Sequence, residues 1–404
     1  MKHIPAVAAI CASLACLPAE AREFVLSDSQ SGSRVGDWSI SSVELGIATD
    51  QPFTVTKRLL HGGKQEGVEL IEVDNGRMKF SVIPTRGMSI FGVSSGGVTL
   101  GWTSPIKEIV NPAYIELESR GGLGWLDGFN EMLVRCGFEW AGHPGMDNGK
   151  LLTLHGRTGN TPASKVVVII DDKPPHRIRV RGKVVEKVFK FLDYEVWTEI
   201  STEPGSATFQ ISDTLTNLGD YEREYQVIYH GNFGPPLLEK GSVFVAPVKQ
   251  VTPFNDTAAK DVKTWTTYLG PTRNYGEQVF NIIPYANDAG STTVMLHNKA
   301  ADRGIKISYK VDELPRFNLW KNTDTMKEGY VTGLEPATSF AYNRSIERKF
   351  GRVPKLASGA SRSFTLDYTI LLSKENVSAV AQEISDIQGQ RKTRVDTKPQ
   401  AQPK

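Results

Sequence analysis

The chain has 404 residues, of which 39% are apolar and 23% charged, with a formal net charge of +2. That length can bury a sizeable core in one large domain or two smaller ones, and the composition is that of an ordinary globular protein. So balanced a charge leaves no electrostatic footprint for a polyanion, which argues against nucleic acid as a partner.

The first 21 residues differ from the rest. Lys2 and His3 precede an apolar run over residues 4–17, and Pro18-Ala19-Glu20-Ala21 supplies small residues at the −3 and −1 positions of a secretory cleavage site. Residues 1–21 read as a signal peptide, so the mature protein is expected to be exported, periplasmic or secreted. A lipoprotein signal on Cys16 is disfavoured, because Ser13 stands where such a signal wants leucine. The run is also short of the roughly 20 apolar residues a bilayer span needs, and no membrane span is expected in the mature protein. Cys11 and Cys16 leave with the leader, so Cys136 remains alone and no internal disulfide forms. Its setting, Leu133-Val134-Arg135-Cys136-Gly137-Phe138, suits a small buried hydrophobe better than a nucleophile.

From Val68 onward, short β-prone runs alternate with Gly, Pro, Asn and Asp punctuation. Residues 78–83 stop at Pro84 and residues 166–170 at Asp171-Asp172; runs over 178–185, 189–200, 207–215, 225–230, 292–297, 304–309 and 363–372 follow. Asp193-Tyr194-Glu195-Val196-Trp197-Thr198-Glu199-Ile200 alternates polar and apolar residues strictly, as a strand with one wet face does. Thr208-Phe209-Gln210-Ile211-Ser212-Asp213 does the same, and Glu203-Pro204-Gly205-Ser206 between them predicts an antiparallel hairpin. Sustained 3.6-residue periodicity is scarce, so the fold class is all-β, a sandwich or barrel. One domain over residues 22–374 is the simplest division. Residues 375–404 are expected to hold a short helix, near 376–387, followed by a polar disordered tail.

Three separated motifs carry acid–base chemistry: Leu154-His155-Gly156-Arg157, Tyr229-His230-Gly231-Asn232 and Gly333-Leu334-Glu335-Pro336. Two imidazoles and a carboxylate can move a proton from one oxygen to another, provided the fold gathers them at one cleft. His230 is expected at a strand end and Glu335 in a turn. Partial burial there would raise the pKa of Glu335 and make it a better base. Arg157, two residues from His155, would favour the neutral ring by its charge. Between Trp102 and Pro162 the chain is dense in Gly, Trp, Asn, Asp and Arg. Trp125 and Trp140 offer flat faces for the C–H side of a pyranose, while Asp127, Asn130 and Arg135 offer partners for its hydroxyls. Arg86, in Pro84-Thr85-Arg86-Gly87-Met88, is a further polar candidate. Neither His-x-His nor His-x-x-x-His spacing occurs in support of a metal site, and no glycine loop points to a nucleotide, so neither metal nor cofactor is expected.

Together these residues resemble the aldose 1-epimerase (galactose mutarotase) superfamily. The Pro-Thr-Arg-Gly-Met, Arg-Cys-Gly and Leu-His-Gly-Arg signatures at Pro84 to Met88, Arg135 to Gly137 and Leu154 to Arg157 resemble its less characterised aldose 1-epimerase-like branch. The resemblance runs from Val68 to Leu372. It implies a large antiparallel β-sandwich with a cleft for a small carbohydrate on a concave face. By motif and order it implies that His155 contacts substrate, His230 is the general acid and Glu335 the general base, with Arg86 the candidate for an assisting arginine. The sequence departs from the mutarotase pattern at Tyr229, at Gly231-Asn232 and at Arg157. Those departures leave three functions open: interconversion of sugar anomers, carbohydrate binding without catalysis, and lysis or hydrolysis of a polysaccharide on the same scaffold.

Overall fold

The computed structural model describes residues 21–400; the expected leader, with Cys11 and Cys16, lies outside the described residues apart from Ala21. Two large sheets, one of ten strands and one of thirteen, face each other across a single apolar core. Pairing within them is antiparallel except where the C-terminal segment joins, so the all-β sandwich expected from the strand-length runs is the fold.

The ten-stranded sheet follows directly from the alternating sequence. Ile178–Val188, Leu192–Thr202 and Thr208–Asn217 bury every second side chain against the core and leave the others facing water. The predicted hairpin forms, with Thr202 paired to Phe209, and Gly205 supplies the positive φ its turn requires. Four strands that precede the first expected run, at Val68, also join: Ala21–Asp28 and Ser33–Arg34 in this sheet, Trp38–Ser41 and Thr54–Leu59 in the other.

The thirteen-stranded sheet carries the site. Its centre consists of five adjacent strands: β1 (Leu133–Phe138), β2 (Gln226–Phe233), β3 (Gln278–Pro284), β4 (Arg316–Thr323) and β5 (Tyr330–Ala337), in the spatial order β3-β4-β5-β2-β1. Every residue of β1, β2 and β5 is buried. A strand in an ordinary sandwich buries one face, so a second apolar layer must cover the other. Loops supply it: Trp125, Phe129, Leu154 and Ala341 pack on Val134, Cys136, Ile228 and Ala337 from the side away from the intersheet core. Pleat parity therefore sorts each side chain. Leu133, Val227, Tyr229 and Leu334 point into the sandwich, while their neighbours His230 and Glu335 point into the loop-covered layer.

Three expectations need correction. Glu335 does not sit in a turn and His230 does not end a strand: each lies inside a strand, β5 and β2. Nor is the C-terminal region structureless after its helix. Helix α1 (Lys374–Gln388) is capped by the Ser373 side chain, which accepts from the Asn376 N–H, and it buries Val377, Val380 and Ile384 against Met295 and Leu371. Beyond it, Arg394–Val395 adds a parallel strand beside Val248–Pro253, and Asp396 accepts hydrogen bonds from Gln250 and Thr252 at 2.7 Å each. An open sheet edge leaves backbone groups unpaired, and even a polar segment can satisfy them. None of the described helices is long and apolar enough to cross a membrane.

Candidate active site

The register of β2 and β5 sets the site. Ile228 pairs with Ala337 and Gly231 with Leu334, which places His230 directly across from Glu335. Their side chains meet with His230 Nε2 3.2 Å from Glu335 Oε1, and both are almost fully buried. Gly333 makes the space: a Cβ there would collide with the Glu335 carboxylate and the Trp320 ring. Glycine in the Gly-Leu-Glu-Pro motif is thus a steric requirement of the acid two residues on.

The tautomer of His230 follows from its neighbour. Asn232 donates through Nδ2 to the carbonyls of Glu131 (3.0 Å) and His230 (3.2 Å), so its Oδ1 faces His230 Nδ1 at 2.8 Å as an acceptor. Assigned from this network, Nδ1 carries a hydrogen and a neutral ring presents its Nε2 lone pair to Glu335. Burial pushes the His230 pKa down to about 4, partly offset by the Asn232 hydrogen bond. Burial also lifts Glu335 well above the usual carboxylate range, helped by the negative charge of Glu277. Burial thus favours the uncharged form of both groups, and both line the same pocket, within reach of one small molecule.

His155 joins them from a turn. It adopts a left-handed conformation (φ 59°), followed by Gly156, whose Cβ would strike the carbonyls of Trp140 and Gly137. Backbone bonds from His155 N to Gly142 O and from Gly137 N to His155 O lock that turn against β1. The His155 ring lies edge-on, 5.2 Å from His230 and 4.9 Å from Trp125. Burial, with His230 nearby, drives its pKa well below that of a free histidine. His155, His230 and Glu335 line one and the same pocket. Phe129 and Trp320 supply further aromatic walls, and His143 and Glu277 stand exposed at the rim. Trp320 is fixed by its Nε1 donating to Glu277 Oε2 at 2.9 Å.

Of the seven residues expected to bind substrate, only Trp125 lines this pocket. The structure places the other six as follows. Arg135 has the opposite pleat parity to Val134 and Cys136, so it points into the sandwich. There it pairs with Asp213 at 2.5 Å and donates to Met88 O, and Tyr229 donates to the same carboxylate. Arg86, in the turn Pro84–Arg86, is fully buried against Glu131 at 2.6 Å and donates to Val110 O. Arg157 pairs with Glu139 and lies over the Trp140 ring, and Trp140 donates to Thr153 O at 2.8 Å. Asn130 donates to Glu108 O, and Asp127 is half-exposed, 3.9 Å from Arg120. Most of these groups brace the site from behind. Arg86 holds Glu131, whose carbonyl receives Asn232, and Asn232 orients His230. Arg157 and Trp140 brace the turn that carries His155.

Sequence reasoning missed His143, Glu277, Phe129 and Trp320, of which three sit in loops without a motif. Trp320 had a usable signal, since Phe317-Asn318-Leu319-Trp320-Lys321 is strand-like. Cys136 is buried beneath the dyad, and desolvation holds its thiol well above its ordinary pKa, in keeping with an inert residue. Among the described residues no group of three or more His, Cys, Asp and Glu is placed to hold a metal ion.

Comparison with known proteins agrees with the fold. Residues 65–370 match the family described as a domain of unknown function, DUF4432. A protein from Klebsiella pneumoniae subsp. pneumoniae MGH 78578, provisionally assigned as an aldose 1-epimerase, has a crystal structure that is 48% identical in sequence. It superposes with a TM-score of 0.93 over 95% of this chain and 100% of its own. A galactose mutarotase-like protein from Clostridium acetobutylicum shares the fold at 13% identity and a TM-score of 0.52, over 78% of this chain and 98% of its own. A galactose 1-epimerase from Lactobacillus acidophilus NCFM does so at 10% identity and 0.51, over the same shares of the two chains. No curated protein matches the chain in sequence.

Proposed function

We propose that this chain, which belongs to the aldose 1-epimerase-like (galactose mutarotase-like) superfamily and within it to the DUF4432 family, interconverts the anomers of a small sugar. The observation that carries the reading is the buried His230–Glu335 dyad, an imidazole and a carboxyl group 3.2 Å apart in an aromatic-walled pocket. Anomer exchange needs that inventory. One group takes the proton from the anomeric hydroxyl while the other gives a proton to the ring oxygen, the ring opens, and the free aldehyde rotates about its first carbon–carbon bond. Reversal of both transfers closes the other anomer.

In the empty pocket burial favours the uncharged distribution, with the proton on Glu335. Its transfer across 3.2 Å to His230 Nε2 leaves Glu335 as base toward the anomeric hydroxyl and His230 as acid toward the ring oxygen. His155 stands beside both as the neutral imidazole that contacts the sugar. The braced arginines take no direct part; Arg86 acts through Glu131 and Asn232 on the orientation of His230.

Saturation-transfer NMR of anomer exchange tests the reading, with Glu335→Gln as the variant that keeps the shape and loses the titrating group. Acceleration by wild type and its loss in the variant support the proposal; equal rates would refute it. The export reading rests on residues 1–21 alone. It predicts Arg22 as the first residue of the protein recovered from its native host.

A further inference from the structure

Resting on that reading, we infer that the sugar taken by this pocket is neutral and presents a deoxy, methyl-bearing edge, as a 6-deoxyhexose does. Two independent observations carry this. The first is charge. Among the described residues no lysine or arginine lines the pocket. The three arginines nearest in sequence to the site motifs are committed elsewhere, Arg86 to Glu131, Arg135 to Asp213 and Arg157 to Glu139. The ionisable lining consists of Glu335, Glu277 and three histidines, and burial drives His155 and His230 toward the neutral ring. A carboxylate, sulfonate or phosphate on the sugar would leave water to face Glu277 with no lysine or arginine to receive it.

The second observation is an aliphatic wall. Leu123, Leu126 and Leu154 line the pocket next to His155. Backbone bonds from Leu154 N to Gly122 O and from Leu126 N to Leu123 O tie the segments that carry them together. Leu126 is 45% exposed, a large apolar side chain left in water at the pocket's mouth. The C–H faces of a pyranose already have Trp125, Phe129 and Trp320. The leucine side chains offer a hydroxymethyl group no partner of their own, and no serine, threonine, asparagine or glutamine lines the pocket beside them, whereas a methyl group packs on them.

Matched sugars test this: D-galactose, 6-deoxy-D-galactose and D-galacturonate, with the corresponding glucose series, each measured for dissociation constant and for anomer exchange. The deoxy sugar should exceed its parent by about tenfold or more, the scale of one methyl in an apolar pocket, and the uronate should be the weakest of each set. Leu126→Asn, at a half-exposed position the fold tolerates, should bring the deoxy-to-parent ratio close to one. A parent hexose or a uronate preferred by wild type, or a ratio unmoved in Leu126→Asn, overturns the inference. Exchange on hexoses without a deoxy preference would sink the inference and leave the mutarotase reading intact. Deoxy-first binding with no exchange on any sugar would do the opposite, and no binding by any member overturns both.

Discussion

Gly333→Ala should silence the dyad without unfolding the protein. The backbone at Gly333 is not left-handed, so alanine is conformationally allowed, and the cost is steric. The added Cβ would lie nearer than 3 Å to Glu335 Oε1 and 3.2 Å from Cβ and Cε3 of Trp320. Ordinary carbon contacts lie near 3.5–4 Å, so the carboxylate must retreat by roughly 1 Å. A displacement of about 1 Å in a positioned catalytic group costs on the order of 100-fold in rate. Because the clash falls on side-chain atoms, the fold can absorb it, and the loss of stability should stay within about 1–3 kcal/mol, the range for overpacking. Gly137→Ala provides the contrast. Its Cβ would strike the Gln226 carbonyl, and φ is +146°, so it should destabilise the protein severely. The assay is anomer exchange alongside urea denaturation. A Gly333→Ala protein that keeps wild-type turnover to within threefold, with Glu335 still essential, would refute the steric argument.

Three further outcomes follow from the geometry. Activity should be bell-shaped in pH: the singly protonated dyad is lost on the acid side as His230 takes a second proton near pH 4 and on the alkaline side as Glu335, held well above the carboxylate range, gives up the last one; a pH–rate profile with no acid limb would contradict it. Asp213→Asn strands the buried Arg135 charge and should cost about 3–5 kcal/mol in denaturation, with sugar affinity unchanged in the folded fraction, whereas an arginine that bound substrate would show the reverse. Truncation after Gly389 removes the parallel strand and the Asp396 bonds and should cost about 1–3 kcal/mol without reducing kcat, because that strand lies at the sheet edge, beyond β3 and β4 from the dyad.

The features legible in the sequence were those with a local cause. Period-two alternation over residues 193–213 is a direct image of a half-buried strand, and the His-Gly and Gly-Leu-Glu-Pro motifs mark where a backbone must pass close or a carboxylate needs room. Partners distant in sequence were not legible. Arg86 and Glu131 are 45 positions apart, and Arg135 and Asp213 are 78. A lone arginine in a sequence does not reveal whether its carboxylate comes from the protein or whether it awaits a ligand. Arg135 carried one overlooked clue: if Val134 and Cys136 face the loop layer, the residue between them cannot. His143 and Glu277 reach the rim through loop paths that no periodicity encodes. The C-terminal strand was misjudged because composition predicts whether a segment can form a core, not whether an open edge is waiting for its backbone.

The most direct measurement is the rate of anomer exchange by saturation-transfer NMR for wild type and Glu335→Gln, on a sugar shown to bind both. The account predicts acceleration by wild type and a loss of about 10²–10⁴-fold in the variant, the contribution of a positioned acid–base group, with the dissociation constant nearly unchanged. Equal exchange by the two proteins, or none by wild type on a bound sugar, would contradict the claim that the His230–Glu335 dyad performs the chemistry.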